Sequence, residues 1–168
     1  GDLATIRQKV AGMREDETTP DTRLADDPMK FNPATVGTLR QLMMAGLDPG
    51  RGAAPLHCRL RYFDPLRRRA GVPEDVAALI DQMTDSQVRV TLVNTNQLVA
   101  RRVVVQTGAY GEHQCRRVTL GDQATAVDGT AFTVVLAPGA GAQLTIETDR
   151  YVNQPTLVFP WDRWKIGK

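Results

Sequence analysis

The chain has 168 residues, enough to bury a sizeable core in one or two small domains. Its 42% hydrophobic and 24% charged residues are ordinary for a globular protein, and no run approaches the 18 apolar residues of a transmembrane helix. Against 19 acids, 21 bases leave a net charge of +2, so nucleic acid is not expected as a partner.

Leu3, Ile6, Val10 and Met13 recur at helical spacing, which predicts an amphipathic helix over residues 3–14 whose stripe needs a covering surface. These first residues lack the apolar core of a signal peptide, and Gly1 stands where Met would begin a chain. We therefore expect a segment of a longer bacterial polypeptide, with a periplasmic or extracellular setting favoured. Residues 15–30 hold acids, two prolines and few large apolar side chains, the composition of a mobile linker.

Asn32-Pro33 is a helix start, Val36, Leu39, Leu42 and Met43 form its stripe, and Gly46 marks its stop. The Gly- and Pro-rich residues 47–56 read as loop. Residues 59–69 begin as an exposed strand that ends at Asp64-Pro65. A third helix is expected after Pro73, because Glu74 and Asp75 suit its first turn and Val76, Leu79, Ile80 and Met83 share a face.

Beyond Asp85 the hydrophobic period changes from 3.6 to 2. Strands are expected at 88–93, 100–106, 113–120, 123–127, 131–137, 142–148 and 156–159. Asp128-Gly129 reads as a hairpin turn, and 138–141 (PGAG) separates the next pair. Helical and strand periods are segregated along the chain. The expected class is therefore α+β: an antiparallel β-sandwich of about seven strands preceded by a helical N-terminal extension. The corresponding organisation is 1–85 extension, 86–160 sandwich and 161–168 tail. Alternation places Val90, Leu92, Val104, Leu120, Val134, Leu136, Leu144 and Ile146 in the core.

The strings VTLVNTNQLVARRVVVQTGAYGEH and FTVVLAPGAGAQLTI share a pattern: an Asn ending one strand, an Arg/Val-rich strand after it, and an L-x-P-G-x-G turn into an apolar strand. In this the second half of the chain resembles the all-β accessory modules that follow catalytic domains in many bacterial enzymes, glycoside hydrolases among them. The resemblance implies a β-sandwich accessory domain and carries over no catalytic residue.

The only two His and two Cys come in pairs, His57-Cys58 and His113-Gln114-Cys115. Three readings stand: a zinc site of two N and two S ligands, a disulfide between Cys58 and Cys115, or buried thiols beside locally bonded His. A thiol nucleophile with Glu112 orienting a His base has no supporting signature, and the GRG at 50–52 lacks the flanking strand and helix of a phosphate loop. Arg59, Arg61, Arg67, Arg68 and Arg69 surround Tyr62 and Phe63, and Tyr110 follows later; such a set could hold a glycan or small anion. Tyr110, Tyr151, Trp161 and Trp164 could stack sugars, or the two Trp could pin the tail to the sandwich or to a neighbouring domain.

Together these features favour a non-catalytic structural or interaction module whose partner is a neighbouring domain of the same polypeptide or another protein. The alternatives are a glycan- or anion-binding module and a small metal or thiol enzyme. No cofactor is expected unless the His/Cys pairs take zinc.

Overall fold

The computed structural model describes residues 2–19, 37–47 and 55–163. The chain divides into two compact units, residues 1–39 and 40–168. In the first, α1 (Asp2–Glu15) forms where a helix is expected, and Leu3 and Met13 of its predicted stripe are exposed. Most of the expected linker lies outside the described residues, as do Asn32-Pro33 and Val36 at the expected start of the second helix. That helix, α2 (Gly37–Met44), is followed by Ala45 at positive φ. Met43 and Met44 pack against the sandwich core, and the Tyr62 hydroxyl donates to the Met43 carbonyl at 2.5 Å.

Among the described residues, nine strands form two antiparallel sheets. The first has the order β2-β1-β5-β8, from Arg69–Ala70, Leu60–Asp64, Arg101–Thr107 and Ala131–Leu136. The second has the order β3-β4-β9-β6-β7, from Val76–Met83, Gln87–Asn94, Gly141–Asp149, Gln114–Leu120 and Gln123–Gly129. With the helical N-terminal segment, this is the α+β sandwich that the two periodicities imply. Between the sheets lie Leu60, Tyr62, Val88, Val90, Leu92, Val103, Val105, Cys115, Leu136, Leu144 and Ile146.

Strand β3 replaces the expected third helix. Positions 76, 79, 80 and 83 fit a helical stripe, but pairing with β4 turns Val76, Ala78 and Ile80 inward and leaves Leu79 and Met83 exposed. A neighbouring strand overrides local propensity here. Asp75 sits at positive φ, and its carboxylate accepts from Asn96 at 2.9 Å and Arg101 at 2.7 Å. It ties β3 to the β4–β5 loop instead of opening a helix.

Other expectations change for related reasons. Strand β1 is buried rather than exposed, since Leu60 and Tyr62 face the core and Phe63 is covered on the other side. The sandwich therefore begins at Leu60 and takes in residues assigned above to the extension. Asp128-Gly129 is no hairpin turn: β7 pairs with β6 and β8 with β5, so the chain crosses between sheets at Thr130. The tight turn lies at Gly121-Asp122, where Leu120 pairs with Gln123. Leu120, at this turn, is 49% exposed and not in the core. Val104 is buried on the outer side of the first sheet, beside its register partner Phe63. Residues 156–159 form no strand; they are a strap leading into one helical turn, α3 (Pro160–Arg163).

Candidate functional site

Three places gather side chains that could meet a ligand or partner. The first is the outer face of the β2-β1-β5-β8 sheet, under the strap. Phe159 and Trp161 stack at 5.0 Å, and each meets Phe63 edge-on at 5.9 Å. Arg163 anchors the strap by donating to the Val158 carbonyl (3.0 Å), Thr130 Oγ1 (2.8 Å) and Gln106 Oε1 (2.8 Å). Burial, then the like charge of Arg61, lowers the Arg163 pKa from its ordinary value. Between strap and sheet runs a cleft of about 280 Å³ lined by Arg61, Phe63, Gln106, Tyr110, Phe159 and Arg163, among others.

The loop at 108–111 completes this cleft, and two glycines permit its shape. Gly108 has φ +81°, and a Cβ there would lie 2.5 Å from the Glu112 carboxyl. Gly111 has φ +74°, and a Cβ there would lie 2.5 Å from Arg163 Nη1. Only glycine tolerates both the angle and the approach. The Glu112 carboxylate accepts the backbone N–H of Ala109 (3.1 Å) and Tyr110 (2.7 Å), which braces the loop, and its Oε1 lies 3.9 Å from His113 Nε2.

The second place is centred on Tyr151, at the turn after β9. Its φ of +57° is uncommon for an aromatic residue. Its N–H donates to His113 Nδ1 at 3.1 Å, and its ring meets His113 edge-on at 4.7 Å. Its hydroxyl is hydrogen-bonded to His57 Nε2 at 3.0 Å, and the Arg150 guanidinium lies 5.1 Å from its ring. The two His of the sequence pairs therefore meet on one tyrosine. Burial lowers the His113 pKa, aided by the positive charges of Arg59 and Arg150 and opposed by Glu112.

Their companion cysteines are both free and buried. Burial pushes Cys58 up to about 12, with Glu112 adding to the rise, and pushes Cys115 up to about 11. Neither is poised as a thiolate. Cys115 belongs to the core between the sheets, whereas Cys58 follows His57 in the segment paired with Leu47. No group of three or more His, Cys, Asp or Glu gathers as a metal site among the described residues.

The arginine segment does not form one patch. Arg59 is buried and donates to the Thr84 and Asp85 carbonyls at 2.9 and 3.0 Å. Arg61 donates to the Ala109 carbonyl and lies over the Phe63 and Tyr110 rings. Tyr62 faces the core. Arg67 pairs with Glu74, Arg68 with Asp162 at 3.1 Å and Arg69 with Asp64 at 3.7 Å, around the β1–β2 turn. Of the four aromatics considered as a platform, Tyr110 lines the strap cleft, Tyr151 joins the histidines, Trp161 holds the strap, and Trp164 lies outside the described residues, as does the GRG loop.

A third place is a cleft of about 520 Å³ at the end of the sandwich that carries the β1–β2 loop. Pro65, Leu66, Pro73, Ala100 and Val135 give it apolar walls, and the Arg67–Glu74 pair and Arg101 form a charged rim. Leu66 and Val135 are 85% and 62% exposed, as is Leu98 (88%), two residues before Ala100.

Sequence reasoning missed Arg150 and Arg163. No local motif marks either, since Arg163 reaches Gln106, 57 residues away, and Arg150 lies by Asp85, farther still along the chain. The one available hint was an Arg-Tyr pair directly after a strong strand. Comparison with protein-family models, curated proteins and solved structures returned no match to this chain.

Proposed function

We propose that this chain is a non-catalytic β-sandwich module that docks onto a protein surface, either a neighbouring domain of its polypeptide or a separate partner. One observation carries the reading. Leu66 and Val135 face water at an apolar cleft with a charged rim at one end of the sandwich, and Leu98, two residues before the lining residue Ala100, is exposed as well. Contiguous apolar surface with a polar rim is the usual anatomy of an interaction site. The suppressed thiols and the bracing role of Glu112 support the non-catalytic half of the proposal.

The test compares amide exchange in the isolated chain with the natural protein purified from its own cells. Protection of residues 66–67 and 97–102 should be greater in the natural protein, and Leu66→Asp with Leu98→Asp should remove the difference without unfolding the isolated chain. Equal exchange in both preparations would overturn the docking role. A glycan- or anion-binding role draws on the strap cleft, where Arg61 and Tyr110 stand beside Phe63 and Phe159. A glycan array read against Tyr110→Ala separates the two readings.

A further inference from the structure

The Tyr151 cluster carries more positive charge than its neighbours answer. Arg59 is 6% exposed and commits Nη2 to two carbonyls, yet its Nε is buried with no acceptor among the described residues. The Nε of Arg150 is likewise buried without an acceptor, although its Nη2 reaches the Tyr151 hydroxyl at 3.3 Å. Among the described residues, Asp85 is the carboxylate paired with Arg150, while Glu112 lies beside His113. Asp85 lies 3.9 Å from Arg150 Nη1, but its side chain is fully exposed, where water screens the attraction.

The two guanidiniums belong to one electrostatic neighbourhood. Arg150 is the foremost charge lowering the Arg59 pKa, after burial, and both act on His113. A buried N–H without an acceptor is costly, more so when it is cationic, and such orphans in a folded protein call for a partner. A neutral acceptor would satisfy the hydrogen bonds and leave the mutual repulsion. An anion with several oxygens answers both, and guanidinium edges match carboxylate and phosphate geometry.

We infer that Arg59 and Arg150 form a binding site for a small oxyanion, a phosphate or carboxylate group, with Tyr151 and His57 at its solvent-exposed side. The site is independent of the docking surface and of the strap cleft. His113 accepts from the Tyr151 backbone, which holds Tyr151 and the adjoining Arg150 in place at positive φ.

Nitrogen-15 NMR of the arginine Nε–Hε groups tests this in the intact chain. Sodium phosphate and sodium glucuronate are titrated separately, with ionic strength held constant by sodium chloride. The Arg59 and Arg150 signals should move saturably with one shared Kd in at least one titration. Saturation by phosphate alone assigns a phosphoryl ligand, by glucuronate alone a carboxylate, and by both a general oxyanion site. Arg150→Gln should weaken binding at least tenfold, whereas Arg117→Gln on the second sheet should leave it unchanged. Linear shifts no larger than those of Arg117 in both titrations would overturn the site, and so would unchanged affinity in Arg150→Gln. Should Arg150→Gln fail to fold, the wild-type titration alone decides.

Discussion

Cys58 and Cys115 illustrate how burial decides chemistry at the scale of one residue. Both thiols are free, and removal from water raises their pKa values to about 12 and 11. The native protein should therefore react with neither Ellman's reagent nor iodoacetamide near pH 8, and the unfolded protein should titrate two thiols without reductant. Rapid labelling of the native chain would contradict this burial. His113 makes a second prediction. Its folded pKa lies below the unfolded value of about 6.5, so protons bind the unfolded chain more readily. Its contribution to stability is whole above that value and is lost as pH falls toward the lowered folded pKa. Urea midpoints should drop between pH 7.5 and 5.5, and His113→Gln should flatten that slope. A slope unchanged in the variant would assign it to other groups.

At the scale of elements, the strap is the most informative. Arg163 holds it with three hydrogen bonds, one of them to buried Gln106. Arg163→Ala leaves the Gln106 carbonyl unanswered, which should cost about 1–3 kcal/mol, and Phe159 and Trp161 should gain mobility in tryptophan fluorescence anisotropy. Arg163→Lys should recover part of the loss. The strap and β3 also show what the sequence conceals. Strands β4 to β9 fall where the strand-like runs between turn residues place them, although β5 is buried on both faces and does not alternate. Strand β3 lies at a sheet edge, where Leu79 and Met83 stay exposed and complete a false helical stripe. Residues 156–159 carry strand-like composition but pack with aromatic side chains, not with a ladder. The convergence of His57 and His113 was conceivable from the sequence, yet the tyrosine that unites them comes from a turn 94 residues beyond His57.

For the whole molecule, stability rests on the layer between the two sheets. Leu92 and Ile146 are fully buried there, whereas Leu120 is half exposed. Leu92→Ala and Ile146→Ala should each cost roughly 2–5 kcal/mol, and Leu120→Ala far less. Denaturant melts of the three variants check the ranking, and comparable losses at all three would mean that the inward face is misassigned. The predicted sandwich survives the errors made over its parts because the change of period at Asp85 reports its main body, even though three further strands lie before that point.

One consequence concerns synthesis of the chain. Phe63 is made some 96 residues before Phe159, the first ring that covers it. While the ribosome adds β4 to β9, the outer side of the first sheet therefore has Phe63 without its lid. The nascent chain passes through a stage in which both sheets could assemble around their shared core but one flank stays adhesive. A slow-translating stretch placed between β9 and the strap would prolong that stage and raise the demand for chaperones, whereas faster delivery of residues 156–163 would shorten it.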